Sequence, residues 1–474
     1  MRGNPSDRQL RSLFSVYLIL VYFYGVFGSG AWSDDYAALF DPSAVGMHAL
    51  RDSRPVYGYS ITFLFGFFDS TTQLSIIRLI GLIGLVLLNN ELWIRLRNYP
   101  KHRTMMVFCT LGLTLPSYQF SAHWAIAFAM SWAGFLGLFG FRLFSIKRLR
   151  SRLIGLLLLM LSLMTYPLVA FFIFPVVFVE GLLNKDTGAN ILRRFKMPLW
   201  YFLLGGTSSY FMSAFVIKLH DTTPNARVEL VTIENVPTKL IWFFTRPWSL
   251  SFRPYLISSP SIIDIALFVS IFSTLIFVLL YFYYASLRSA LSVFAIFNFS
   301  IVLSVLPLLF VSQNQIDVRF LGSNTWLVLV TLLFLLSCFI SEKFSAVTSK
   351  VSAYFFLSFL IFGCWSVNDR YLNFIQPVFV NNNEFIEAKL AVCEDSFFAK
   401  DVEIIERSRP WGVKDLLGFY SQITDLESIW VPEGAVASFI KTNNLHFNPR
   451  PTLRSRAQKI DSCHIYLDDY KVKP

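Results

Sequence analysis

Long apolar runs dominate the first 367 residues and are separated by short clusters of basic residues. The runs lack the alternation of half-buried strands, and many approach the ~20 residues with which a helix crosses a bilayer. Several runs are short or broken by proline, which helices tolerate where backbone lines a protein cavity. The pattern predicts an all-α polytopic membrane protein with about eleven transmembrane helices, at about 12–31, 72–94, 104–116, 118–141, 153–165, 167–183, 197–219, 262–284, 290–311, 322–340 and 351–367.

The basic clusters follow alternate spans and therefore predict the orientation. Arg2, Arg8 and Arg11 precede the first span, and lysine and arginine return after the second span, near 95–103. By the positive-inside rule these segments are cytoplasmic, so the loops 32–70 and 220–261 are expected outside. An odd number of spans then places the tail, 368–474, on the outer side as well.

Composition supports the membrane assignment. Hydrophobic residues make up 55% of the chain and charged residues only 15%, which is unusual for a soluble protein. The net charge of +11 comes from the membrane part, because the tail has 13 basic and 15 acidic residues. The charge therefore reflects topology and does not indicate nucleic-acid binding. We expect a transmembrane domain over 1–367 and a small extracytoplasmic domain over 368–474.

The five cysteines fall into two groups. Cys109, Cys338 and Cys364 lie in apolar runs and are expected to be small buried hydrophobic residues. Cys393 and Cys463 lie in the tail, where an oxidising compartment would favour a disulfide between them. No spacing typical of a metal site occurs, and neither a metal nor a cofactor is expected.

Polar residues expected on the outer side carry the candidate chemistry. A carboxylate pair, Asp34 and Asp35, follows the first span directly. In glycosyl transfer from a lipid phosphate, a carboxylate takes the proton of the acceptor hydroxyl and guanidinium groups hold the departing phosphate. The candidates for phosphate binding are Arg51, Arg54, Arg246, Arg253 and Arg319. The candidates for sugar or acceptor contacts are Trp32, Tyr36, Trp248, Gln313 and Gln315.

Structural roles remain open for the same residues. The carboxylate pair could cap an interfacial helix starting at Tyr36. The arginines could bind lipid head groups or form ion pairs, and Trp248 could anchor the chain at the interface. A lipid-linked saccharide flippase and an O-antigen polymerase are alternative functions. A flippase would need polar residues along the middle of the spans, and those positions are nearly all apolar, with Asn89, Asn90 and Asn298 as modest exceptions. A carboxylate pair directly after the first span fits a polymerase less well.

The first span followed by Trp32-Ser33-Asp34-Asp35-Tyr36, then Arg54-Pro55 and a series of aromatic-rich spans, resembles the GT-C membrane glycosyltransferases. Within them it is similar to the bacterial and phage Gtr-type glucosyltransferases that modify O-antigen. The resemblance implies inverting transfer of a hexose, such as glucose, from an undecaprenyl-phosphate donor to a lipid-linked or lipopolysaccharide acceptor, on the periplasmic side of the bacterial inner membrane. It implies that an aspartate of the first outer loop is the base.

Overall fold

The structure is a computed structural model of the 474-residue chain. It describes residues 6–28, 33–68, 70–225, 228–252, 262–312, 321–343, 357–358, 360–365, 367–368, 401–405, 448–450 and 462–466. The α-helices are α1 (Asp7–Phe27), α2 (Ser33–Phe40), α3 (Pro42–Arg51), α4 (Pro55–Phe65), α5 (Leu74–Leu96), α6 (His102–Gly112), α7 (Pro116–His123), α8 (Ala129–Phe144), α9 (Leu149–Thr165), α10 (Pro167–Ala170), α11 (Ile173–Leu183), α12 (Gly188–Leu219), α13 (Val236–Phe243), α14 (Ile262–Tyr284), α15 (Leu287–Ser304), α16 (Pro307–Phe310) and α17 (Gly322–Lys343).

Seven helical segments among these residues are long and apolar enough to cross a membrane: Asp7–Phe27, Thr71–Leu96, Ala125–Phe144, Gly188–Leu219, Ala266–Tyr284, Leu287–Ser304 and Gly322–Ser341. This confirms the predicted helical, multi-pass character of the chain. Helix α1 begins earlier than its apolar run because Ser6 and Gln9 form a capping box, in which each side chain accepts a hydrogen bond from the other residue's backbone N–H (3.3 and 2.8 Å).

The tail contributes three short strands that the helical pattern does not predict. They are β1 (Asp401–Ile405), β2 (Asn448–Arg450) and β3 (Ser462–Tyr466). All pairing is parallel, in the order β2-β1-β3, with Val402 opposite Pro449 on one side and Cys463 on the other.

Most ion pairs of the described residues gather at one end of the helical bundle, which we call the basic end. Arg103 pairs with Asp7 at 2.9 Å, and Arg11 donates to Asn90 at 2.7 Å, so α1 and α5 run antiparallel. Two buried carboxylates pair with further arginines, Arg95–Glu180 at 2.6 Å and Arg142–Glu91 at 2.7 Å, and the half-buried Asp186 pairs with Arg194 at 2.5 Å. These pairs join α1 to α6 and α5 to both α8 and α11, and they fasten the α11–α12 loop to α12.

Helix α7 lies inside the bundle, towards the opposite end. All eight of its residues are buried. Its close approach to α5 depends on Gly81, because a Cβ at that position would lie 1.8 Å from the backbone oxygen of Ser121. No side chain fits at such a distance, so the glycine is what allows the two helices to touch.

Candidate functional site

Asp35 anchors the second helix to the interior of the bundle. Its side chain is fully buried in α2, and its Oδ1 and Oδ2 accept hydrogen bonds from the backbone N–H groups of Ile126 (2.7 Å) and Ala125 (3.3 Å). These donors begin the 3₁₀-helix Ala125–Phe128, whose own N-cap residue, Trp124, makes no side-chain cap. Asp35 therefore caps an element some ninety residues away in the chain.

This arrangement corrects one sequence-based interpretation. Helix α2 begins at Ser33, three residues before Tyr36. The proposal that the carboxylates cap a helix starting at Tyr36 is therefore wrong, since Asp35 lies inside the first turn of α2.

Tyr57 in α4 holds the same short segment from the other side. Its hydroxyl donates to the backbone carbonyl of Ile126 at 2.6 Å. The N–H and C=O of Ile126 thus take a carboxylate from α2 and a hydroxyl from α4. Because the segment is buried, the N–H and C=O of Ile126 both need hydrogen-bond partners. These two hydrogen bonds connect Asp35 to Tyr57 through the backbone of Ile126.

Arg54 is the cation of this region. Its Nη2 forms an ion pair with Asp52 Oδ2 at 2.6 Å, and its guanidinium lies 5.2 and 5.4 Å from the ring centroids of Tyr57 and Tyr166. Burial alone would lower the pKa of Arg54, but the charge of Asp52, with Tyr166 and Tyr57, raises it above its usual value. The group is a fixed cation whose side chain is still 20% exposed.

Asp52 organises the turn that carries this arginine. Its carboxylate is buried and accepts a hydrogen bond from Asn225 Nδ2 at 2.6 Å. It also lies 3.9 Å from His48 Nε2. Asn225 also donates its backbone N–H to the carbonyl of Arg51 at 3.0 Å. The tight turn between α3 and α4 includes Ser53, whose φ is +60°. The loop after α12 is thereby fastened to the α3–α4 turn.

The result is a connected group of polar side chains at the end of the bundle opposite the basic end. We call it the Asp35 cluster: Asp35, His48, Asp52, Arg54, Tyr57, Tyr166 and Asn225. A guanidinium that has one edge on a carboxylate and aromatic rings beside it keeps further N–H donors for an anion. The cluster can therefore bind a phosphate or carboxylate next to the helix that carries Asp34.

The other predicted site residues fall into three groups. Arg51 is exposed in the last turn of α3, Arg246 is exposed in the π-helical segment Phe244–Trp248, and Trp248 is half-buried and donates to Asn298 Oδ1 at 3.3 Å. The structure describes the backbone of Asp34 and Tyr36 in α2 and of Cys463 in β3, but not their side chains. Trp32, Arg253, Gln313, Gln315, Arg319 and Cys393 lie outside the described residues.

Several residues of the region carry no sequence signal that selects them. Tyr57, Tyr166 and Asn225 are distant in sequence and belong to common residue types. Arg78 lies in an apolar run, yet it is 1% exposed and its Nη1 donates to the carbonyl of Gly28 at 2.8 Å. A lone arginine in a predicted span is the one signal that could have indicated it.

Within the part of the chain that the structure describes, no group of three or more His, Cys, Asp or Glu residues is placed to hold a metal ion. Among the described residues, Cys109, Cys338 and Cys364 take part in no disulfide. Cys109 and Cys338 are buried, as expected for residues of apolar runs, whereas Cys364 is only half-buried. Comparison with known proteins finds no matching family, no similar curated protein and no similar solved structure.

Proposed function

We propose that this protein is a membrane-embedded hexosyltransferase that uses a polyprenyl-phosphate sugar as donor and a lipid-linked or lipopolysaccharide glycan as acceptor. In this proposal about eleven helices cross a bacterial inner membrane with the amino terminus in the cytoplasm. The Asp35 cluster and the tail then face the periplasm. No cofactor and no nucleic acid take part.

The observation that carries the proposal is the setting of Arg54. Its charge is held in place by Asp52 and by two tyrosine rings, while a fifth of its side chain stays accessible. A structural arginine would be expected to use its donors on the protein, whereas a phosphate ligand needs donors that remain available. Phosphate is the group that a prenyl-linked donor brings to this surface.

The base of the reaction is assigned to Asp34. Asp35 already uses both carboxylate oxygens on the backbone of Ala125 and Ile126. It fixes the first turn of α2, on which Asp34 is the preceding residue. Asp35 is therefore a positioning residue in this proposal, and the neighbouring carboxylate is left for proton transfer.

In the proposed step the carboxylate of Asp34 takes the proton of an acceptor hydroxyl. The hydroxyl oxygen forms a bond to the anomeric carbon, and the bond from that carbon to the phosphate oxygen breaks on the opposite face. The electron pair of the broken bond leaves with the prenyl phosphate, whose added negative charge is met by Arg54. The anomeric configuration is inverted, and the proton on Asp34 is released to water.

The structure also bears on the transporter alternative. Alternating access requires both ends of a bundle to open in turn. Here the basic end is joined by four arginine–carboxylate pairs, including the buried carboxylates Glu91 and Glu180. The mid-span asparagines have local partners, since Asn89 accepts from Thr110 at 3.0 Å and Asn298 accepts from Trp248. These features favour an enzyme with access from one side.

The test is an Arg54→Gln substitution, assayed by mass spectrometry of the surface polysaccharide of cells that do or do not express the gene. Expression of the natural protein should add a hexose branch. Loss of charged hydrogen bonds worth about 1.5–3 kcal/mol should reduce transfer about 10- to 150-fold. Arg54→Lys should fall in between, because it keeps the charge and loses the planar fork.

The matched control is Arg97→Gln, which removes an exposed arginine at the basic end and should leave the branch intact. Normal branching by Arg54→Gln at normal protein levels would refute the proposed phosphate site. A change in chain length without a new sugar would instead support the polymerase.

A further inference from the structure

The connection between α12 and α14 exposes large apolar side chains although it lies outside the membrane-spanning helices. Ile233 is 90% exposed and Ile241 is 67% exposed. Val236, Leu240 and Phe244 are exposed as well. Single apolar residues on a surface need no explanation, but a group of this size generally marks an interaction surface.

These residues occupy one side of a continuous helical segment. The 3₁₀-helix Ile233–Asn235, helix α13 and the π-helical segment Phe244–Trp248 follow one another without a break. Spacings of three or four residues place side chains on the same side of a helix. We call this side the α13 face: Ile233, Val236, Leu240, Ile241 and Phe244.

The other two sides of the segment have different surroundings. Phe243 is fully buried in a hydrophobic cluster formed with residues of α10 and α16 and with those that flank α15 and α17. A narrow polar edge carries Glu234, Thr238 and Thr245, all exposed. The segment thus has a packed side, an apolar exposed side and a polar exposed side. This arrangement is typical of a helix that lies at a membrane surface between protein, lipid and water.

The contacts of the segment place it at one end of the membrane-spanning helices. The cluster around Phe243 lies where α15 ends and α17 begins. The chain before α13 is also fixed there, because Val231 donates its backbone N–H to the carbonyl of Phe310 at 2.8 Å. Phe310 is exposed, and so is Phe299 on the spanning helix α15. The α13 face therefore lies beside apolar surface that a spanning helix already presents to the bilayer.

The chemistry of the α13 face selects its partner. Its five side chains contain no hydrogen-bonding atom, so a polar ligand would find no donor or acceptor there. Protein interfaces commonly combine apolar contacts with arginine and other polar groups. Acyl chains require neither. Trp242 and Trp248, both half-buried on the same segment, belong to the residue type that anchors proteins at the level of lipid head groups.

We infer that the α13 face is inserted among the acyl chains of the adjacent leaflet, and that α13 lies along the bilayer surface without crossing it. The inference depends on the multi-pass character of the chain and does not depend on the proposed hexosyl transfer.

The insertion sets the level of the bilayer surface relative to Arg54. Helix α10 contributes Leu168 to the cluster that holds Phe243. Tyr166, which directly precedes α10, has its ring centroid 5.4 Å from the guanidinium of Arg54. The head-group region would therefore lie near Arg54, at the depth where the phosphate of a membrane lipid is found.

The test measures which solvent surrounds individual positions of α13. The full chain is placed in nanodiscs of phosphatidylethanolamine and phosphatidylglycerol. p-Acetylphenylalanine is introduced at one position at a time and coupled to a hydroxylamine spin label, which leaves the natural cysteines in place. Power saturation then gives the collision rates with oxygen, which concentrates in the acyl chains, and with a water-soluble nickel chelate.

Ile233 and Ile241 are the test positions on the α13 face. Thr238 is the matched control on the polar edge of the same helix, and Leu203, 56% exposed on the spanning helix α12, is the lipid standard. All four side chains are exposed, so the label should not disturb folding. The ratio of oxygen to nickel collisions at Ile233 and Ile241 should match that at Leu203 and exceed that at Thr238 several-fold.

Ratios at Ile233 and Ile241 equal to that at Thr238 would overturn the inference, because the α13 face would then be in water. Low collision rates with both reagents would overturn it as well, since protein, either the tail or a second copy of the chain, would then cover the face. Neither outcome affects the proposed function, which fails separately if Arg54→Gln leaves transfer unchanged.

Discussion

Substitution by asparagine should lower stability at Asp35 and the rate of hexose transfer at Asp34. Asp35→Asn keeps one carboxamide oxygen for Ile126 but places an NH₂ group against the N–H of Ala125, where the carboxylate oxygen was 3.3 Å away. The loss of a charge-assisted bond is worth about 1.5–3 kcal/mol. For a cooperative unit of about 150–250 residues this lowers the thermal midpoint by roughly 3–12 °C.

Asp34→Asn should instead leave the thermal midpoint unchanged and lower the rate of hexose transfer by ~10²- to 10⁴-fold, the range typical of a lost general base. Both quantities are measured on purified protein, by thermal unfolding and by incorporation of labelled sugar from a prenyl-phosphate donor. The expected result is thus a stability change at Asp35 and a chemical change at Asp34.

Asp41→Asn is the control for the substitution itself. Asp41 is exposed and caps α3 by accepting the backbone N–H of Ala44 at 2.9 Å, and asparagine caps equally well. It should change neither quantity. Near-normal transfer by both Asp34→Asn and Asp35→Asn would remove the carboxylate mechanism, and an unchanged melting curve for Asp35→Asn would refute the anchoring role.

Three further predictions concern packing, metal and topology. Gly81→Ala should prevent normal folding, because the new Cβ collides with the Ser121 carbonyl. Gly206→Ala has open space and should add up to about 1 kcal/mol of stability. Expression level and thermal midpoint are measured for both variants, and equal values would contradict the packing of α7 on α5. Transfer should survive EDTA, since arginine meets the phosphate charge; loss that Mg²⁺ restores would refute this. If Cys393 and Cys463 form the predicted disulfide on the outer side, they should react with an impermeant maleimide on intact cells only after reduction. Labelling that requires an opened inner membrane would place the tail in the cytoplasm.

The seven long apolar helices of the described residues were predictable because run length and apolarity determine which segments can cross a bilayer, whereas the count of about eleven spans stays a prediction. Their ends were less so. The start of α1 depends on the Ser6–Gln9 capping box, and α12 begins at Gly188, well before the apolar run near 197. Helix ends set by capping, or by continuation of a helix through polar residues, are harder to predict from sequence than apolar helix interiors.

Only those residues of the candidate site whose place in the predicted topology is unusual could be predicted from the sequence. The carboxylates and Arg54 stood out because they follow an apolar run in a loop expected outside. Their partners did not, since Tyr166 is more than a hundred residues from Arg54 and belongs to a chain with 20 tyrosines, 50 phenylalanines and 11 tryptophans. Contacts of this kind arise from tertiary packing, which one sequence does not reveal.

Helix α7 was missed for a different reason. Its polar residues lie just before the strongly apolar α8, and a window of about twenty residues averages the two into one predicted span at 118–141. The structure separates them by the 3₁₀-helix Ala125–Phe128, so a buried polar helix ends where the Asp35 anchor begins. Hydropathy measures the average of a segment, whereas the chemistry depends on which part of it is polar.

This separation gives the variants a definite order of effects. Asp35→Asn acts where α7 ends, whereas Tyr118→Phe, near its start, removes a buried hydroxyl that has no partner among the described residues. Only the first variant should therefore lower the thermal midpoint. Gly81 packs on Ser121 between the two ends, so a side chain there would displace the helix as a whole and disturb both. If Tyr118→Phe lowered the thermal midpoint as Asp35→Asn is expected to, the stabilising contacts of α7 would not be confined to the end that Asp35 holds, and this order of effects would be refuted.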